Sequence, residues 1–205
     1  MYGTLLGFHR NGDFIEGDDD FDVGYFSAFN TAVEVKEETK RIVVDLVLAG
    51  YICFFNKKGR LFRLRLPGDN PSIHLDVRPL WYEDKHVWAY KHACLSLETK
   101  DFIPSKQGTL RRIPVEVPGN IESFLKEYYG PGWKVPDPGY SNSSLNISVE
   151  VTNKLKTVYI TPKEYCEMVE KIESQRSKYP KAGKLISMGS YSLYPLEACE
   201  ANVGW

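Results

Sequence analysis

From Thr31 to Leu48, Ala32, Val35, Thr39, Ile42, Val43, Leu46 and Val47 recur at helical spacing, with Asn30 or Thr31 placed to cap and Gly50 to terminate. The pattern predicts a long helix. Three β-prone runs surround it in the chain: Phe21 to Phe26 before it, then Tyr51 to Phe55 and Leu61 to Leu66 after it. The last two are joined through Asn56-Lys57-Lys58-Gly59, which suits a hairpin. A further run from Ser72 to Leu80 alternates polar and apolar residues, and Val87 to Cys94 reads as one more strand. Ile113 to Pro118 reads as an extended edge, because proline cannot donate to an internal ladder. Helices are predicted at Asn120 to Tyr129, ended by Gly130-Pro131-Gly132, and at Pro162 to Ser177, patterned by Tyr165, Met168, Val169 and Ile172. A short turn or helix covers Thr4 to His9, a Gly-bearing loop follows at Asn11-Gly12, and Pro136 to Ser144 is a polar loop.

At 205 residues, 42% hydrophobic and 26% charged, the chain has the composition of an ordinary soluble domain. Lys and Arg total 26 against 27 acids, so no global field gathers nucleic acid, and an anionic ligand must be held locally. The longest apolar stretch, Ile42 to Phe55, is broken by Asp45 and Gly50 and is too short to span a bilayer. Met1-Tyr2-Gly3-Thr4 lacks the charged and apolar regions of a secretory signal, so a cytoplasmic location is expected. Cys53, Cys94, Cys166 and Cys199 never form a C-x-x-C pair and are expected as free thiols.

Candidate chemistry lies in the acid run. Side chains alternate along a strand, so Asp20 and Asp22 face one side while Phe21 and Val23 face the other. Two such carboxylates repel unless a cation lies between them, and oxygen ligands suit magnesium. Asp18 joins them if the strand starts early. Val23 and Phe29 stand where an EF-hand beginning at Asp18 needs Gly and Glu, which excludes that loop. In Ser72 to Arg78, His74, Asp76 and Arg78 share a face. If this strand lies beside Phe21 to Phe26, Asp76 supplies a third carboxylate, as metal ligand or base, and Arg78 meets a phosphate. The alternative is an exposed face on which Asp76 and Arg78 merely pair. Upstream, Gly3-Thr4 offers backbone N–H groups and a hydroxyl to a phosphate, with Arg10 following.

The ordered run Gly3-Thr4-Leu5-Leu6-Gly7-Phe8-His9-Arg10 to Asp20-Phe21-Asp22-Val23-Gly24 resembles the signature of the LicD/fukutin family of nucleotidyltransferase-fold phosphotransferases. Ser123 to Gly130, continuing through Trp133 to Pro136, resembles the family's closing segment, so the likeness covers roughly residues 2 to 138. The resemblance implies an α+β (α/β) fold with a mixed β-sheet flanked by helices. It implies magnesium, or alternatively manganese, at Asp20 and Asp22, with Gly3-Thr4 facing a phosphate and Arg10 supporting it. Asp76, in His-Leu-Asp-Val, matches the family's third acid. It further implies a CDP-linked donor and a glycan acceptor, the cargo being phosphocholine, ribitol phosphate or a similar alcohol phosphate. Two departures stand out: Ile15-Glu16-Gly17 replaces the Ile-Pro-Trp common in bacterial members, and the helix and strand that precede Gly-Thr in the family are expected to be missing.

The domain reading is a catalytic unit at 1–140 and an extension at 141–205 that packs on it, on the acceptor side. Two other functions fit the same residues: a true nucleotidyltransferase, separated by product analysis, and an inactive module that binds a glycan or partner. Replacing Asp20 or Asp22 with Asn is expected to abolish turnover and to leave the fold as stable or slightly more so, by relieving repulsion.

Overall fold

The computed structural model describes residues 1–17, 21–55, 59–60, 62–70, 73–89, 93–140 and 147–187. The fold is α+β. Its main sheet runs β6 (Ala93–Leu95), β5 (His86–Ala89), β4 (Leu75–Glu83), β3 (Phe62–Arg65), β2 (Ile52–Phe55), β9 (Lys184–Ser187), and β1 (Phe21–Phe26) also pairs with β4. The β1–β4 and β2–β9 pairs are parallel and the rest antiparallel, so the sheet is mixed as expected.

Helices cover both faces. On one, α2 (Ala32–Leu48) and α5 (Pro162–Gln175) bury Val43, Val47, Met168 and Ile172 against Phe55, Phe62 and Val77. On the other, α1 (Tyr2–Asn11) and α3 (Ile121–Tyr129) bury Leu5, Leu6, Phe124 and Leu125 against Leu80, Val87 and Leu95. Thr31 caps α2 by accepting from the Glu34 N–H, and Gly50, at φ 108°, turns the chain into β2. Helix α1 stops at Gly12, whose φ of 70° lets its N–H reach the Phe8 carbonyl.

Several elements differ from the sequence reading. Val87 to Cys94 is not one strand: β5 and β6 form an antiparallel pair, with residues 90–92 outside the described set. The extended edge at Ile113 is β8 (Ile113–Val117), paired with β7 (Lys106–Leu110) in a separate ribbon. Its turn places Arg111 and Arg112 at φ 50° and 70°, a conformation usually signalled by Asn-Gly, so nothing in the sequence marked the hairpin. Helix α4 (Val149–Lys156) was missed because Leu155 is its one buried residue and leaves no stripe. Trp81 is fully buried and stacks on Trp88 with ring centres 6.2 Å apart. Cys53, Cys94 and Cys166 take part in no disulfide, and Cys199 lies outside the described residues. Among the described residues no helix is long and apolar enough to cross a membrane.

Candidate functional site

Strand register builds the site. Asp22 of β1 lies opposite Asp76 of β4, and Asp76 lies opposite Arg63 of β3, so all three project from the sheet face that carries α1. Both carboxylates are buried, Asp22 at 5% exposure and Asp76 at 2%. Arg78, two residues along β4, points to the same side. Its Nη2 lies 2.8 Å from Asp22 Oδ1 and 3.2 Å from Asp76 Oδ2, so one nitrogen bridges both acids. Arg63 Nε donates to Asp76 Oδ1 at 2.8 Å, and His74 Nε2 stands 3.5 Å from the same oxygen. Beneath the guanidinium, the Tyr2 ring centre lies 4.8 Å from Arg78 Cζ. The sequence reading of an Asp76–Arg78 pair holds, but the pair is buried beside Asp22, not exposed.

The first turn of α1 fixes β1 from above. Thr4 Oγ1 accepts from the Asp22 N–H at 2.9 Å, a contact that leaves the hydroxyl hydrogen uncommitted, and Gly3 precedes it in the same turn. The Met1 amino group donates to the Asp22 carbonyl at 2.6 Å. Burial pushes its pKa down to about 5, the Asp22 charge opposing the shift and the Arg78 charge adding to it. A Cβ at Gly24, opposite Arg78, would stand 2.6 Å from both Leu80 Cδ1 and Met1 Cγ, so those two side chains would have to shift to admit one. A cavity of ≈ 290 Å³ opens at this point, lined by Met1, Thr4, Phe8, Phe21, Asp22 and Val115 among others.

Arg10 is not brought into this group. It sits about 9 Å further along the axis of α1 than Thr4 and lines a second cavity with His9, Asn11, Trp133, Lys134 and Pro136. Asp18 and Asp20 lie outside the described residues. Among those described, no three of His, Cys, Asp and Glu form a metal-binding group, so the described donors are Asp22 and Asp76. Hard carboxylate oxygens on adjacent strands fit magnesium or manganese in chemistry. Here the guanidinium of Arg78 takes up their charge.

That arrangement corrects one expectation. Asp22 is held by Arg78, so neutralising it does not relieve repulsion but leaves a buried guanidinium with less compensating charge, which costs stability. Sequence reasoning also passed over Arg63 and Tyr2. Parity along Phe62-Arg63-Leu64-Arg65 was a usable signal for Arg63, because a hairpin partner of the Asp76 strand puts alternate residues on the acidic face. Tyr2 gave none, since its place under Arg78 follows from how α1 crosses the sheet.

Residues 1–120 match the family model described as LicD/FKTN/FKRP, nucleotidyltransferase domain. The chain is also 26% identical over 148 residues to the mouse protein named ribitol 5-phosphate transferase FKRP, an alignment covering 70% of this chain and 29% of that one. The chain therefore spans under a third of the length of that relative. With the family model matched over more than half of its residues, the chain belongs to the LicD/FKTN/FKRP nucleotidyltransferase-domain family.

Proposed function

We propose that the chain transfers a phosphorylated alcohol, such as phosphocholine or ribitol phosphate, from a CDP-linked donor to a sugar hydroxyl of a glycan. The observation that carries this reading is the register of Asp22 with Asp76, two buried acids presented at one point beside the first turn of α1. Membership of the family and the name of the mouse relative support the reaction class.

Asp20 and Asp22 would hold magnesium, or manganese, with Asp18 extending the set; when bound, the ion neutralises charge on the pyrophosphate and on the departing CMP. Asp76 accepts the proton of the attacking sugar hydroxyl, held ready by Arg63. The Gly3-Thr4 turn donates to a phosphate oxygen, and Arg78 adds positive charge there. A bond forms between the sugar oxygen and the phosphorus bearing the alcohol, the phosphoanhydride bond breaks, and CMP leaves. Arg10 lies in another cavity and takes no part in this step.

The test is CMP release from CDP-choline, CDP-ribitol and CDP-glycerol with a glycan acceptor, with and without magnesium. One donor should give magnesium-dependent CMP release that Asp22→Asn and Asp76→Asn abolish. Release that survives either substitution, or no release from any donor by a folded chain, overturns the reading. Nucleotide left on the acceptor identifies nucleotidyl transfer instead.

A further inference from the structure

We propose that Arg78 is the chain's own counter-cation for the Asp22–Asp76 pair and must leave it when a divalent cation binds, freeing the guanidinium for the donor's phosphates. The inference rests on the function proposed above and deepens it.

The geometry is specific. A single nitrogen, Nη2, sits 2.8 Å from one carboxylate and 3.2 Å from the other, so the protein's own cation fills the point shared by both acids. Magnesium approaches its oxygen ligands to about 2.0–2.1 Å, so ion and guanidinium cannot occupy that point together, and their like charges repel at short range. Without a cation, two buried carboxylates in register would repel each other. Arg78 removes that conflict, so the acids can be folded into place before any ion arrives. The Tyr2 ring face lies against the guanidinium, its centre 4.8 Å from Arg78 Cζ. Asp76 keeps Arg63 as a second partner when Arg78 departs.

Manganese titration by calorimetry on the full chain, with melting temperatures measured in parallel, tests the exchange. Arg78→Met should bind Mn²⁺ at least tenfold more tightly than the wild type, Arg78→Lys should stay within about threefold of it, and Asp22→Asn should lose binding. Mn²⁺ should also raise the melting temperature of Arg78→Met more than that of the wild type, a readout that works even for a marginally folded variant. Wild-type binding that Arg78→Met leaves unchanged or weakens overturns the inference alone. An Arg78→Met chain that stays unfolded at every Mn²⁺ concentration does the same, because the ion then fails to replace the guanidinium. No Mn²⁺ binding to either the wild type or Arg78→Met overturns the metal-dependent reading itself.

Discussion

Asp76 is the residue on which the site's electrostatics turn. It is 2% exposed and takes ion-pair contacts from Arg63 and Arg78, so its charge stabilises two guanidinium groups at once. Replacing one partner in a buried ion pair generally costs about 3–5 kcal/mol, far more than a surface pair is worth. Asp76→Asn should therefore lower the unfolding free energy from urea titration by an amount in that range, seen as a lower midpoint at an unchanged slope; a loss under about 1 kcal/mol would show that water, not Arg63 and Arg78, compensates the carboxylate. A second residue shows magnitude deciding sign. Glycine in a helix ordinarily gains about 0.5–1 kcal/mol when replaced by alanine. At Gly7, however, a Cβ would stand 2.6 Å from the Asp13 carbonyl oxygen and 2.7 Å from the Ile15 nitrogen, backbone atoms that cannot step aside cheaply. Overpacking of this kind costs about 1–3 kcal/mol. Gly7→Ala should be net destabilising by about 1–2 kcal/mol in equilibrium unfolding, because residues 13–15 must cross α1 closely to deliver β1.

Among the elements, α5 joins local and tertiary signals. Thr161 and Glu164 form a reciprocal capping box, and Lys36 of α2 donates to Glu164 at 2.9 Å, tying the two helices of one face. Burial alone would raise the Glu164 carboxyl, but hydrogen bonds from the Thr161 N–H and hydroxyl and from Lys36 outweigh it and hold the group below its ordinary 4.5. Folding thus favours the ionised form: the contribution is complete above the ordinary value and is lost as pH falls through the folded one. Glu164→Gln should cost about 1 kcal/mol at pH 7, and its melting temperature should converge on the wild type's in acid. A gap independent of pH would assign the effect to packing. Caps and stripes of this kind are why α2, α3 and α5 were readable in the sequence: Thr31, Asn120 and Thr161 each accept from an N–H three residues on. The parity of Asp20-Phe21-Asp22-Val23 and of His74 to Arg78 likewise exposed the site's acids, and the register then placed Asp22 opposite Asp76. What stayed hidden has no local mark. The four residues of β9 become a strand only by pairing with β2, and Arg63 and Tyr2 join the site only through tertiary contact.

Across the whole molecule, the site depends on a core built partly from the far end of the chain. Val77 lies between Asp76 and Arg78 on β4 and points to the opposite sheet face, into a cluster with Val43, Phe62 and residues from beyond position 140. Those later residues are Ile160, Tyr165, Met168, Val169, Ile172 and Leu185, all buried. At about 1.5–3 kcal/mol for each buried side chain, six of them contribute about 9–18 kcal/mol, as much as the whole stability of about 5–15 kcal/mol typical of a domain. β9 also covers the edge of β2 that would otherwise stand open. A chain ended after residue 140 should therefore lose its fixed packing, and with it the Asp22–Asp76 register, although every residue of the candidate site is still present. Near-UV circular dichroism and amide dispersion should collapse in residues 1–140 and be retained in residues 1–187. A well-dispersed spectrum from the shorter chain would instead show that α1, α3 and the central strands hold the site unaided, and that the α2 face tolerates exposure.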